Sequence, residues 1–376
     1  MTGSEPPLRN LRVLDFSTLL PGPLATLILA EAGAEVIKIE RSGSGDEMRS
    51  YSPKIGSDSV NFAVLNRGKK SIAIDLKAAD AVAQLMPLIE SADILVEQFR
   101  PGVMERLGLG YDRLSEINPR LIWCSITGYG AAGPRAQAAG HDLNYLAETG
   151  LLDLARGSDG APALPFTPVA DIAGGSYPAV MNILLALIRR AVTGRGARIE
   201  IAMTDTLFPL AYWALAQGLG TGQWPEPGRA LITGGSPCYQ IYRCADGRFL
   251  AAAPLEQKFW ENFCRLIGLA PQHVDDARDS AGTIDAVAAI IASRDAAHWQ
   301  ARFAGEDVCC SIVATMAEAV GDAHFGNRGL FDRKVACGGQ YLPALHVPVA
   351  SDMRADDVER AAPVLGAHNA MLAKRR

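Results

Sequence analysis

The chain has seven cysteines and no CxxC pair among them. An odd number without that spacing speaks against both a disulfide framework and a zinc site. Cys124, Cys238, Cys244, Cys264, Cys309, Cys310 and Cys337 read as free thiols of a reducing compartment, and the adjacent Cys309 and Cys310 as packing. A strong charge of one sign is missing too: the net charge is −5 over 376 residues. That argues against a dedicated nucleic-acid binder but leaves room for a local basic pocket facing a phosphorylated ligand. The start, MTGSEPPLRN, lacks the apolar core of a signal peptide, and no uninterrupted apolar run is long enough to span a bilayer. The expectation is a soluble, cytoplasmic protein with no membrane partner. Tandem repeats and long low-complexity segments are absent as well.

Apolar residues, at 49%, are enough for a sizeable core, and the length suits two domains or one large domain with an insertion. Leu11 to Ser17 (LRVLDFS) reads as a buried strand. Pro21 and Pro23 suit a helix start, Ala25 to Ala32 continues the helix, and Gly33 ends it. Val36 to Glu40 (VIKIE) is a second strand. This β-α-β unit predicts a parallel sheet with helices on its faces. The loop after the first strand, Ser17 to Pro23, contains no GxGxxG, so the dinucleotide-binding fingerprint is missing.

Asn66 to Leu76 (NRGKKSIAIDL) sets Arg67, Lys69 and Lys70 around Gly68 ahead of another strand. Such a turn can meet phosphate groups, or it can be a solvated basic turn. A helix (Ala78 to Ser91) and a strand (Ala92 to Phe99) follow. Arg100 then opens RPGVMERLGLG, as a phosphate ligand or as a surface arginine at a helix start. Leu121 to Gly130 is a strand running into a glycine-rich loop, where α/β folds place their ligands. That loop leads into AGHD and so to His141, which is a candidate proton carrier or a structural loop histidine. Asp171 of VADIAGG stands where an apolar helix ending at Gly194 begins. A capping aspartate and a catalytic one are both compatible with that place, and free N–H groups of the first turn can hold an oxyanion.

From Gly218 to Pro237 the composition turns to glycine and proline, which predicts a linker. The expected division is 1–220 for the first part of a large domain, 221–325 for a small domain and 326–376 for a return to the large one. A hairpin turning at Asp246-Gly247 opens the small domain and ends at Pro254-Leu255-Glu256, with helices beyond.

The motifs LRVLDFS, PGPLAT, LAEAGAEVIKIE, LNRGKKSIAIDL, FRPGVMERLGLGY, SITGYGAAGP, AGHDLNYLAETG, ADIAGG, TGRG, YRCADGRFLA and APVLGAHN, in this order over nearly the whole chain, resemble family III CoA transferases, and within them the α-methylacyl-CoA racemase branch. The resemblance implies a Rossmann-like parallel-sheet large domain, a smaller α+β domain, and a homodimer of interlocked chains. It implies an acyl-CoA substrate and no cofactor or metal beyond the CoA moiety. Carried over by motif, Arg41, Asn66, Arg67, Lys69, Lys70, Arg100 and Arg106 would line the adenine and phosphate region, with Tyr145 nearer the thioester. In the racemase branch His141 and Asp171 would be the two bases, and Glu256 would steady the histidine. In the transferase branch Asp171 would be the nucleophile that carries acyl and CoA in turn, beneath a loop at Gly234-Gly235-Ser236. A non-catalytic CoA-thioester-binding protein is the third reading. Racemisation at the carbon next to a thioester needs a base on each face. A histidine is poised for that near neutral pH, while an aspartate needs its pKa raised.

Overall fold

The β-α-β unit expected at the start of the chain is present in the computed structural model, which describes residues 5–157, 159–275, 278–355 and 359–372. Strand β1 (Arg12–Asp15) pairs in parallel with β2 (Glu35–Arg41) around helix α1 (Pro21–Glu31). Four further strands complete the sheet: β3 (Lys70–Ile74), β4 (Ile94–Glu97), β5 (Ile122–Thr127) and β6 (Ala197–Ala202), in the order β3-β2-β1-β4-β5-β6, all parallel. Such strands are covered on both faces and read as apolar runs rather than alternating ones. Every residue of α1 is buried, as expected of a helix that is apolar all round. Leu14, Ile37, Ile72 and Leu95 of the strands pack with Leu85 and Ile89 of α2 (Ala81–Glu90) in one core cluster.

β3 is an edge strand, and an open edge invites pairing with another chain. The tail motif APVLGAHN covers it. Asn369 accepts from the Ala73 N–H (2.8 Å) and donates to its carbonyl (3.2 Å), while the His368 ring accepts from the Ser71 N–H (3.2 Å). The final motif of the chain thus closes the first sheet.

Helix α3 (Asp142–Glu148) and helix α4 (Tyr177–Thr193) follow the sheet's fifth strand, and α4 is entered through a π-helical turn, Ala170–Ser176. Together these last two form the one helix among the described residues that is long and apolar enough to cross a bilayer by length and composition, Ala170–Thr193, with mean hydropathy 1.4. A search for uninterrupted apolar runs passes over it because Asp171, Asn182 and Arg189 interrupt it. The nearly buried Arg190 pairs with Asp93 beside the sheet (2.9 Å). Gly174 and Gly175 bring its first turns close to the Met203 carbonyl and the Pro21 ring, where a Cβ would sit only 2.9 and 3.0 Å away.

The chain forms two compact units. The first holds Met1–Thr149, Pro165–Leu210 and Ala323–Arg376, and the second Gly150–Leu164 and Ala211–Asp322. The second unit therefore starts at 211 and ends at 322, against the expected 221 and 325, and also takes a piece from before Asp171. The helix Tyr212–Thr221 is already part of it and runs on into the first residues of the expected linker, with Gly218 close against the Trp224 ring. Strands β7 (Gln240–Arg243), β8 (Phe249–Ala252) and β9 (Cys310–Ile312) form its antiparallel sheet. Tyr242 and Leu250 of that sheet cluster with Trp260 and Phe263 of α5 (Gln257–Ile267). In the first unit a small three-stranded sheet, β10 (Lys334–Cys337), β11 (Gln340–Pro343) and β12 (Glu359–Ala361), belongs to the returning tail.

Candidate active site

A cavity of about 400 Å3 opens at the carboxyl ends of the parallel strands, with every lining residue in the first unit. Leu19 and Pro21 follow β1; Gln98, Phe99 and Arg100 follow β4; Gly128 and Tyr129 follow β5; and Met203 follows β6. His141, Tyr145 and Asp171 complete the wall. The fold therefore brings the two candidate proton carriers to one cavity at the place where parallel α/β sheets bind ligands.

His141 is exposed and stands immediately before α3, where its N–H donates to Asn144 Oδ1 (3.0 Å). Asp171 is half-buried, in the first turn of the long helix. Burial and the neighbouring Asp142 carboxylate push its pKa up to about 6, while the positive charge available on His141 works the other way. This is the tuning an aspartate needs to exchange protons near neutral pH. Asp142 also accepts from the Asp171 backbone N–H (3.0 Å). Of the first-turn N–H groups expected to hold an oxyanion, that of Asp171 is therefore already bonded to a side chain. Asp142 carries no site role in the sequence reading, although it stands inside the AGHD motif. Gln98, which lines the cavity and accepts from the Gly22 N–H at the start of α1 (3.0 Å), was missed too, and no local signal marks it.

Tyr145 is buried, donates to the Gly140 carbonyl (2.6 Å) and packs edge-on to Tyr129. Burial, with Asp171 and other acidic neighbours, raises its pKa to about 12, so it stays a neutral donor. Its ring occupies the space a side chain would need at Gly128 or Gly140: a Cβ there would lie 2.6 and 2.7 Å from it. Gly128→Ala is expected to destabilise the protein by about 1–3 kcal/mol, measured as a shift of the denaturant midpoint; an unchanged midpoint would show that the ring yields.

Three of the expected phosphate ligands point elsewhere. Asn66, Arg67 and Lys69 are buried. Arg67 pairs with Glu31 (2.9 Å) and donates to the Val64 and Leu345 carbonyls. Lys69 donates to Asp15, Thr26, Asn66 and the Pro23 carbonyl. These side chains hold the core together, and their positions in a phosphate wall are corrected accordingly. Lys70 is half-buried and bonded to Glu35. Arg41 and Arg106 are exposed and do not line the cavity, whereas Arg100 does. Glu256 is exposed in the second unit, immediately before α5. Gly234 and Gly235 form a tight turn there, with no room for a Cβ on Gly235 against the Arg229 carbonyl. Among the described residues no group of three or more His, Cys, Asp or Glu is placed to hold a metal ion.

Comparison with known proteins adds what geometry alone does not. The model of CoA-transferase family III matches residues 8–369. The α-methylacyl-CoA racemase of Mus musculus is 34% identical over 96% of this chain and 91% of its own. The acetyl-CoA:oxalate CoA-transferase of Acetobacter aceti is 33% identical over 92% of this chain and 89% of its own. The crystal structure of Rv3272 from Mycobacterium tuberculosis superposes with a TM-score of 0.84 at 29% identity, covering 98% of this chain and 99% of that one. The racemase and the transferase thus differ from this chain to nearly the same extent, at 34% and 33% identity.

Proposed function

The chain belongs to CoA-transferase family III, and from that premise we propose that it racemises 2-methylacyl-CoA thioesters by a two-base proton transfer. The observation that carries this reading is that His141 and Asp171 line one cavity, with the Asp171 pKa raised to about 6. In one direction the Asp171 carboxylate takes the C2 proton, the C2–H electron pair becomes the C=C bond of an enolate, and the negative charge passes to the thioester oxygen. Protonated His141 then returns a proton to the opposite face of C2. In the other direction the roles exchange. The enzyme recovers its protons from solvent between turnovers. With the Asp171 N–H engaged, and those of Asn144 and Tyr145 donating to the His141 carbonyl, the enolate oxygen would take its hydrogen bonds from the Asp142 and Leu143 N–H groups at the start of α3.

The CoA moiety is the only cofactor this chemistry calls for, in line with the family's use of CoA thioesters. Arg100, on the cavity wall, and the exposed Arg41 and Arg106 are the cations this reading assigns to its phosphates. Glu256 is the carboxylate it assigns to steadying the His141 ring, and an interlocked homodimer is the assembly in which it would act. The cytoplasm is the compartment it assigns.

A transferase reading rests on the Acetobacter aceti relative, at 33% identity against 34% for the racemase. There Asp171 would attack the thioester carbonyl and release CoA thiolate. The thiolate would then attack the aspartyl carbonyl of the resulting mixed anhydride, releasing the donor carboxylate and leaving an aspartyl-CoA thioester. An acceptor carboxylate would form a second anhydride from it, and the freed thiolate would attack the acceptor's acyl carbonyl to give the new acyl-CoA and return the Asp171 carboxylate. The two readings part in one experiment. (2R)-2-methylacyl-CoA is incubated in deuterated buffer without an acceptor acid, and deuterium at C2 and the R/S ratio are followed. The expected result is exchange together with epimerisation, with the epimerisation lost in His141→Ala. No exchange, with CoA transfer to an added carboxylate that survives His141→Ala, would overturn the racemase reading. CoA binding without either reaction would leave a binding protein.

A further inference from the structure

A second, smaller cavity of about 40 Å3 lies beside the main one and shares Arg100 and Pro101 with it. It has room for about one water molecule. Glu97, the last residue of β4, faces it and is 5% exposed. Its carboxylate accepts from the Phe99 N–H (2.8 Å), and Ser125, its partner on β5, sets a hydroxyl beside it that favours the ionised form. The charged and titratable groups around it are Arg100 on the turn, Glu105 on the short helix Val103–Arg106, Cys124 on β5, and Arg198 and Glu200 on β6. The bond to Phe99 pins the turn that presents Gln98, Phe99 and Arg100 to the main cavity.

We propose that Glu97 is a positioning residue for this turn and that it takes up a proton from solvent when the phosphates of CoA bind beside it. The proposal rests on the reading that the main cavity takes CoA. The electrostatics give the sign. Burial chiefly, with help from Glu105, raises the Glu97 pKa to about 7, while Ser125, the Phe99 N–H and Arg198 hold it down. A ligand with several negative charges arriving against Arg100 weakens the local positive potential and favours the neutral acid. By linkage, a ligand that favours the protonated form binds more tightly as pH falls, by at most about tenfold per pH unit for one proton. A group that only braced the turn would leave no such proton.

The test is calorimetry of acetyl-CoA binding between pH 5.5 and 8.5, each pH in two buffers of contrasting protonation enthalpy. Wild type is compared with Glu97→Gln, which keeps an acceptor for the Phe99 N–H but cannot titrate. The expected result is that wild type takes up more protons than the variant, with the difference greatest near pH 7, and that its affinity relative to the variant falls as pH rises. Ser125→Ala, which removes a bond to the ionised form, should move that maximum to higher pH. Equal proton uptake in wild type and Glu97→Gln would overturn the proposal. If Glu97→Gln does not fold, a wild-type profile that Ser125→Ala leaves unmoved overturns it equally. Failure of wild type to bind acetyl-CoA at all would instead overturn the CoA reading of the cavity.

Discussion

Asp171→Asn is expected to lower the rate of C2 exchange by about 10²–10⁴-fold, the range a positioned acid–base group supplies, while acetyl-CoA still binds. The substitution keeps the shape of the side chain and removes its ability to carry a proton or attack a carbonyl. In wild type, the direction in which Asp171 acts as base should lose rate as pH falls through about 6, where the carboxylate takes up a proton. The same shift has a consequence for stability. The folded Asp171 holds its proton more tightly than the ordinary aspartate value of 3.8 allows. A carboxyl raised in this way costs stability that is absent at low pH and develops as pH rises from 3.8 to about 6. Asp171→Asn should therefore be more stable than wild type at pH 7.5, by about 1–3 kcal/mol, and should lose that advantage near pH 3.5. Thermal melts at the two pH values measure it. Equal stability at both would mean that Asp171 is not held in an unfavourable environment. A gain in stability together with a loss of rate is the mark of a residue kept for chemistry.

Lys69 gives the second large effect, on stability rather than rate. Its ammonium group and Asp15 are both fully buried, as are Lys38 and Asp46, which pair at 2.8 Å. Burial pushes the Asp15 carboxyl up, but Lys69, Lys38 and the hydroxyls of Ser17 and Thr26 outweigh it and hold the pKa at about 2. The four charges balance only together. Lys69→Ala leaves a buried carboxylate short of a partner and is expected to destabilise the protein by about 3–5 kcal/mol. Replacing both groups, as Asp15→Asn with Lys69→Met, should cost less than the sum of the single changes, because no lone charge remains. A double-mutant cycle by denaturant unfolding tests this, and additivity would refute the pairing. The same variant checks the corrected assignment: a phosphate ligand would change acetyl-CoA affinity far more than stability, whereas a core ion pair does the reverse.

Much of the fold was legible because its signals are local. Pro21 and Pro23 start α1 and Gly33 follows its end; apolar runs mark the strands; Asp171 stands at a helix start; and the order of eleven short motifs points to the family. Asp142 and Gln98 were not legible as parts of the site. Their importance lies in bonds to the backbone of Asp171 and Gly22, 29 and 76 residues away, and no periodicity records such a pairing.

What the order of residues determined by itself is the alternation of strand and helix, the parallel sheet that follows from it, and the loops at its carboxyl end that carry His141 and Asp171. What only the tertiary structure decided is where the charges go. Arg67 and Lys69 look like a solvated or phosphate-facing turn in the sequence. They are buried because Glu31 and Asp15, 36 and 54 residues earlier, meet them inside the fold. Asp171 looks like an ordinary cap, and it becomes a candidate base because folding removes water from it and sets Asp142 beside it. Desolvation and pairing depend on which groups meet in space, and only the folded chain brings them together.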